Sequence, residues 1–202
     1  KNYSSALEEA RADLFALYYI MDEKMVDLGI MPSLNIARAE YNSYIRNGLL
    51  TQLVRVEEGK NIEQAHMRNR QLVSRWCYEK GREGNVIEKI IRDDKTFYKI
   101  NDYSKLRSLF GSLLKEVQRI KSEGDYQAGK ALVEQYGVLV DPELHREVKQ
   151  RFDKLNIAPN GGFINPEYKL VYSNGEAVDV EIAYPSDYAS QMLRYSVEYS
   201  YL

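Results

Sequence analysis

Three acids and one arginine, Glu8-Glu9-Ala10-Arg11-Ala12-Asp13, stand directly before the apolar run Leu14-Phe15-Ala16-Leu17-Tyr18-Tyr19-Ile20-Met21. Ser5-Ala6-Leu7-Glu8 reads as a capping box, so a helix is expected to start there, and apolar side chains around its whole circumference predict that it is interior. Glu9 and Asp13 are four residues apart and share one helical face, while Glu8 lies about 100° round the axis. Carboxylates are almost never buried without a counter-charge, so this trio requires cations or strong donors. Arg11 supplies only part of that. Two readings stay open on spacing alone: a metal ion, or an internal arginine–carboxylate network that ties helices together.

Further on, Gly29 is expected to end the first helix, and Ser33 to cap a second running through Tyr41, Tyr44 and Ile45 toward Leu53 or Val56 before Gly59 breaks it. Asn61, with Gln64 three residues later, is a cap-like start for a third helix, whose stripe is Ile62, Ala65, Asn69, Leu72 and Trp76. His66, Arg70, Val73 and Cys77 follow along the edge of that stripe, which lets an imidazole and a guanidinium project together from the core boundary. A lone helical histidine is also explained as a structural hydrogen-bonder, and Arg70 as the partner of an acid such as Glu63 or Glu8.

The first motif, read as Glu-Glu-x-Arg-Ala-Asp, and the later Gln64-Ala65-His66-Met67-x-x-Arg70 together resemble the dipeptidyl peptidase III family of zinc peptidases, in a bacterial form. Gly124-Asp125-x-x-Ala128-Gly129 is similar to a late region of the same family, so the resemblance spans nearly all of the chain. It implies that Glu9 is the third protein ligand of a catalytic zinc, and that Glu8 and Asp13 orient the zinc ligands. It implies further that His66 is the catalytic histidine and Arg70 a substrate-binding arginine. Lys169 corresponds to one member of a second peptide-binding basic pair, with Tyr168 where an arginine is expected. Many relatives carry Cys where this chain has Ala10, a departure that touches redox sensitivity more than metal binding.

A larger departure is that the family's two zinc-binding histidines, from a His-Glu-x-x-Gly-His helix, have no counterpart here. The only histidines are His66 and His145. A hydrolytic zinc site needs three protein ligands and a water, and Glu9 alone cannot hold the ion. The chain begins with Lys1 and reaches a helix cap within a few residues, so it is expected to be a C-terminal fragment of a larger enzyme, inert by itself. The expected partners are short peptide substrates and the missing N-terminal part of the same protein. The alternative is a non-catalytic helical module that binds peptides or a protein, with Glu8, Glu9, Arg11 and Asp13 as an internal ion-pair network.

With 28 Lys+Arg against 30 Asp+Glu the net charge is −2, and no basic block stands out. The electrostatic footprint of a nucleic-acid binder is missing. The longest apolar run falls far short of the roughly 20 residues of a membrane span. One cysteine, Cys77, leaves no internal disulfide and fits a reducing compartment, so a cytoplasmic location is expected.

The remaining segments complete a mainly α (α+β) fold. Residues 1–202 are read as one mostly helical domain with two small β-hairpins, the C-terminal part of the zinc-bearing lobe of a two-lobed peptidase. Val86–Ile91 and Thr96–Ile100 flank a turn at Arg92–Lys95, and Asp102 caps a long helix from Tyr103 to about Lys121. Leu106, Leu109, Phe110, Leu113, Leu114, Val117 and Ile120 form its buried stripe. Asp125 starts another helix, Asp141-Pro142 the next, and that one sets His145 on a solvent-facing surface. Asn156–Pro166 reads as an exposed loop, followed by a hairpin turning at Asn174-Gly175 and a last helix within Ser186–Leu202.

Overall fold

The computed structural model describes residues 2–157 and 162–200. The chain forms two compact units, Lys1–Ile157 and Ala158–Leu202.

In the first unit, helices α1 (Asn2–Ile20), α3 (Leu34–Leu49), α4 (Ala65–Lys80) and α5 (Tyr103–Glu123) build the core, α1 packing on α4 and α5, and α3 on α4 and α1. A short helix, α2 (Lys24–Asp27), precedes α3, and α6 (Tyr126–Val133) and α7 (Pro142–Asp153) follow α5, with a π-helical turn at Glu134–Val138 between them. The stripe of α5 is buried as its spacing predicts, at Leu106, Phe110, Leu113, Val117 and Ile120. Tyr41 stands edge-on to Phe110, ring centres 5.0 Å apart, and its hydroxyl donates to Leu17 O at 2.7 Å. Local signals start several of these elements. Ser33 accepts from Asn35 N, Asp102 from Lys105 N, Asp125 from Ala128 N, and Asp141 from Glu143 N and Leu144 N.

Strands β1 (Ile87–Arg92) and β2 (Lys95–Ile100) form an antiparallel hairpin that turns on Asp93 and Asp94, both with positive φ. Glu147 of α7 accepts from the Thr96 amide at 2.8 Å and its hydroxyl at 2.7 Å, while Arg151 donates to Thr96 O at 2.8 Å. A helix thereby occupies hydrogen-bonding positions that a third strand would otherwise use.

Five local expectations are corrected. α1 is already helical at Asn2, so Ser5–Glu8 lies inside it and is not its cap. It also stops at Ile20 rather than Gly29, because Arg107 takes Tyr18 O at 2.8 Å and pairs with Asp22 at 2.7 Å, closing the helix end from α5. Nor is α1 buried all round: Leu14 and Leu17 are inside, but Phe15 and Tyr19 are 58% and 41% exposed along a groove shared with α5. α3 ends at Leu49 and α4 starts at Ala65, since Gln52 bonds Gly48 O and Met67 O while Ile62 N is pinned to Val138 O at 3.1 Å. Finally, His145 faces inward, 2% exposed, with Nε2 3.0 Å from Val56 O.

The second unit holds the hairpin β3 (Glu167–Ser173) and β4 (Glu176–Ala183), turned at Asn174-Gly175 with φ of 50° and 85°, and the helix α8 (Tyr188–Glu198). Gln191 of α8 accepts from Asn165 N at 2.6 Å and donates to Phe163 O at 2.7 Å. The expected loop over Asn156–Pro166 falls partly outside the described residues. Eight helices and two antiparallel hairpins among the described residues make this the mainly α (α+β) architecture expected. No helix among them is long and apolar enough to cross a membrane.

Candidate active site

The candidate residues of the first unit gather where α1 crosses α4. Glu9 and Asp13 share one face of α1, and His66, Asn69 and Arg70 lie within a turn and a half on α4, so successive turns meet in successive contacts. At the outer contact His66 Nδ1 is 3.0 Å from Glu9 Oε2, with the two side chains 69% and 36% exposed. Further in, Asp13 Oδ2 accepts from Asn69 Nδ2 at 2.6 Å and from the Tyr44 hydroxyl at 2.9 Å. Asn69 is 1% and Tyr44 8% exposed, so the seam is closed at Asp13 and open at Glu9. Burial, reinforced by the neighbouring Asp13 charge, pushes the Tyr44 hydroxyl well above its ordinary pKa and keeps it a donor.

Arg70 is half-buried on the same helix and has no ion-pair partner within 4 Å among the described residues; it meets neither Glu63 nor Glu8. Glu8 points the other way, toward α5, where Lys121 and Arg11 both reach it. Those hydrogen bonds, first from Lys121 and then from Arg11, hold its carboxyl below the usual range. Arg11 therefore binds Glu8 and is not found on Glu9 or Asp13. Lys169 belongs to the second unit, opposite Glu181 in the β3–β4 ladder.

Glu9 and His66 offer two donors at the mouth of the seam, and no group of three His, Cys, Asp or Glu able to hold a metal occurs among the described residues. A complete hydrolytic zinc site needs three protein ligands, so these residues fit one contribution to such a site and not the whole of it. The Glu9 carboxylate, partly exposed and unclaimed by any guanidinium among the described residues, has the chemistry of a ligand that others complete.

Sequence reasoning missed two members of the seam. Tyr44 and Asn69 read as parts of the apolar stripes of α3 and α4. The one available signal was Asn69 itself, an amide on a face otherwise made of carbon.

Residues 1–181 match the sequence profile of "Peptidase family M49". The chain is 28% identical over 186 residues to the dipeptidyl peptidase 3 of Mus musculus, an alignment covering 83% of this chain and 25% of that protein. The same figures hold for the dipeptidyl peptidase 3 of Rattus norvegicus. The chain thus spans about a quarter of the length of the curated relatives it matches. The match takes in both α1 and α4, the helices that bring Glu9 and His66 together, and the chain belongs to peptidase family M49.

Proposed function

We propose that these 202 residues supply one side of the active site of a zinc-dependent exopeptidase that releases dipeptides from peptide N-termini. The observation that carries this reading is the open pairing of Glu9 with His66 at 3.0 Å, with Arg70 four residues after His66 on α4 and without an acidic partner among the described residues. Glu9 would hold the zinc with two imidazoles from sequence outside this chain. When bound, the ion would polarise the scissile carbonyl and lower the pKa of a water toward about 7.

The proton of that water would pass to a base in sequence outside this chain, while positioning and charge stabilisation fall to residues of this chain. Glu9 would hold the metal, and its Oε2 lies 3.0 Å from His66 Nδ1. The His66 ring hydrogen-bonds the oxyanion that develops at the carbonyl, a role worth roughly 3–4 kcal/mol at the transition state. Arg70 presents two parallel N–H donors to a peptide carbonyl or carboxylate and fixes the substrate's position along the seam. Asp13 braces the inner end, and Glu8 steadies α1 from the α5 side. Short peptides are the substrates, and the 202-residue chain alone is expected to be inactive, with a cytoplasmic location for the whole enzyme.

The test uses the longer polypeptide that this reading requires. It is expected to bind one zinc per chain and to hydrolyse a dipeptidyl-arylamide, and Glu9→Ala to abolish both. His66→Ala should keep the metal and slow turnover roughly 10²–10³-fold, the loss expected of one oxyanion donor. Full metal content in Glu9→Ala would remove the ligand role. An unchanged rate in His66→Ala would leave that side chain a structural one.

A further inference from the structure

The inner contact of the α1/α4 seam is built differently from the outer one. Two neutral donors from two helices, Tyr44 of α3 and Asn69 of α4, converge on a single oxygen, Asp13 Oδ2, at 2.9 and 2.6 Å. The carboxylate accepts only, so it is Asp13 that draws the amide nitrogen of Asn69 toward itself, and the Tyr44 hydroxyl gives its one proton to the same oxygen. One carboxylate oxygen therefore joins three helices in a place where Asn69 is 1% and Tyr44 8% exposed. With so little water to compete, such a network is directional and costly to break.

Apolar residues in these positions would pack at least as well, so stability is a weak reason for an amide inside an apolar stripe. Register is a better one. Asn69 comes three residues after His66, and Asp13 four after Glu9. A helix is stiff over a single turn, so holding Asn69 on Asp13 fixes how far α4 slides and rotates on α1. That in turn decides where the His66 ring lies. The outer pair has no such restraint of its own, its side chains being 69% and 36% exposed.

We propose that Tyr44 and Asn69 are positioning residues that aim His66 at Glu9 by clamping Asp13, a role whose catalytic consequence rests on the peptidase reading above. Neither touches the reacting atoms.

In the 202-residue chain a nuclear Overhauser contact between the His66 ring and the Glu9 γ-protons reports the outer pair without any need for activity. The contact is expected in the wild type and is expected to vanish in Asn69→Ala and Tyr44→Phe. The ring signals of His145, buried against Val56 O, should stay in place and show that the fold survives. Asn69→Asp sets a second carboxylate against Asp13 and should also lose the contact. Adding Asp13→Asn should restore it, because amide and carboxylate have then changed places. A contact absent from the wild type, one that survives both single variants, or one that the exchange fails to restore would each overturn the proposal. Where Asn69→Ala disturbs His145 as well, Tyr44→Phe, which removes a single oxygen, decides alone.

In the longer polypeptide, both single variants are expected to lower kcat about tenfold or more while KM stays within about twofold. A rise in KM with kcat unchanged would overturn the positioning role. Should the wild-type polypeptide cleave no dipeptidyl-arylamide, the peptidase reading fails, and the Overhauser result still decides what aims His66.

Discussion

A methyl group at Gly48 would lie 2.1 Å from Ser74 Oγ and 2.3 Å from Arg70 O. The absence of a side chain there brings the α3 backbone against α4 at the turn that carries Arg70. Contacts that short cannot be absorbed by a rotamer change, because one of the opposing atoms is main chain and Ser74 is fully buried. Gly48→Ala should therefore cost about 1–3 kcal/mol, the usual range for overpacking. For a chain of this size that lowers the thermal midpoint by roughly 2–12 °C. Calorimetry checks it, and an unchanged midpoint would mean that α3 can move away freely. Cys77 illustrates the opposite behaviour on the same helix. Burial pushes its thiol well above the ordinary value, which makes it an inert part of the core.

At the scale of elements, the Glu147–Arg151 pair of α7 seals β2 at Thr96. Desolvation alone would raise the Glu147 carboxyl, but the Thr96 amide and hydroxyl and Arg151 outweigh it and hold the group below its ordinary value of 4.5. A carboxyl more acidic in the folded state than in the unfolded one stabilises the fold above the unfolded value. That contribution fades as pH falls below about 4.5 and through the lowered folded value. Glu147→Gln should accordingly be less stable than wild type at neutral pH, with the gap shrinking as the solution is acidified below that point. Urea unfolding at a series of pH values measures the difference, and a gap independent of pH would rule the carboxylate out as its source. What the sequence reveals about elements follows the reach of the forces involved. Caps such as Ser33, Asp102 and Asp141, and the Asn174-Gly175 turn, act within three or four residues and are legible there. The end of α1, the start of α4 and the burial of His145 are set by Arg107, Val138 and Val56, far away in sequence. The site divides in the same way: Glu9, Asp13, His66 and Arg70 announce themselves through spacing and resemblance, whereas Tyr44 and Asn69 acquire a polar role only when three helices meet.

At the scale of the whole molecule, the two units differ in what they bury. The first has a continuous core in which Leu14, Tyr41, Ile45, Leu72, Phe110 and Val117, among others, are nearly or fully excluded from solvent. Among the described residues of the second, only Gln191 is buried, at 3% exposure. Its hairpin pairs Tyr168 with Ile182 and Leu170 with Val180, yet these four side chains are 66%, 48%, 55% and 44% exposed. A lone two-stranded hairpin is marginal in water, and one helix adds little where almost nothing apolar is covered. The first unit, by contrast, has the burial needed for a cooperative transition. A chain ending at Ile157 is therefore expected to unfold in a single step, with the midpoint of the full chain and with the contact between Glu9 and His66 intact. Residues Ala158–Leu202 alone should show no cooperative transition. Circular dichroism melts of the two pieces test both halves of this expectation. A large fall in the midpoint on removing the second unit would mean that the core of the first depends on it, because a self-sufficient hydrophobic interior loses nothing when a segment that buries little is taken away.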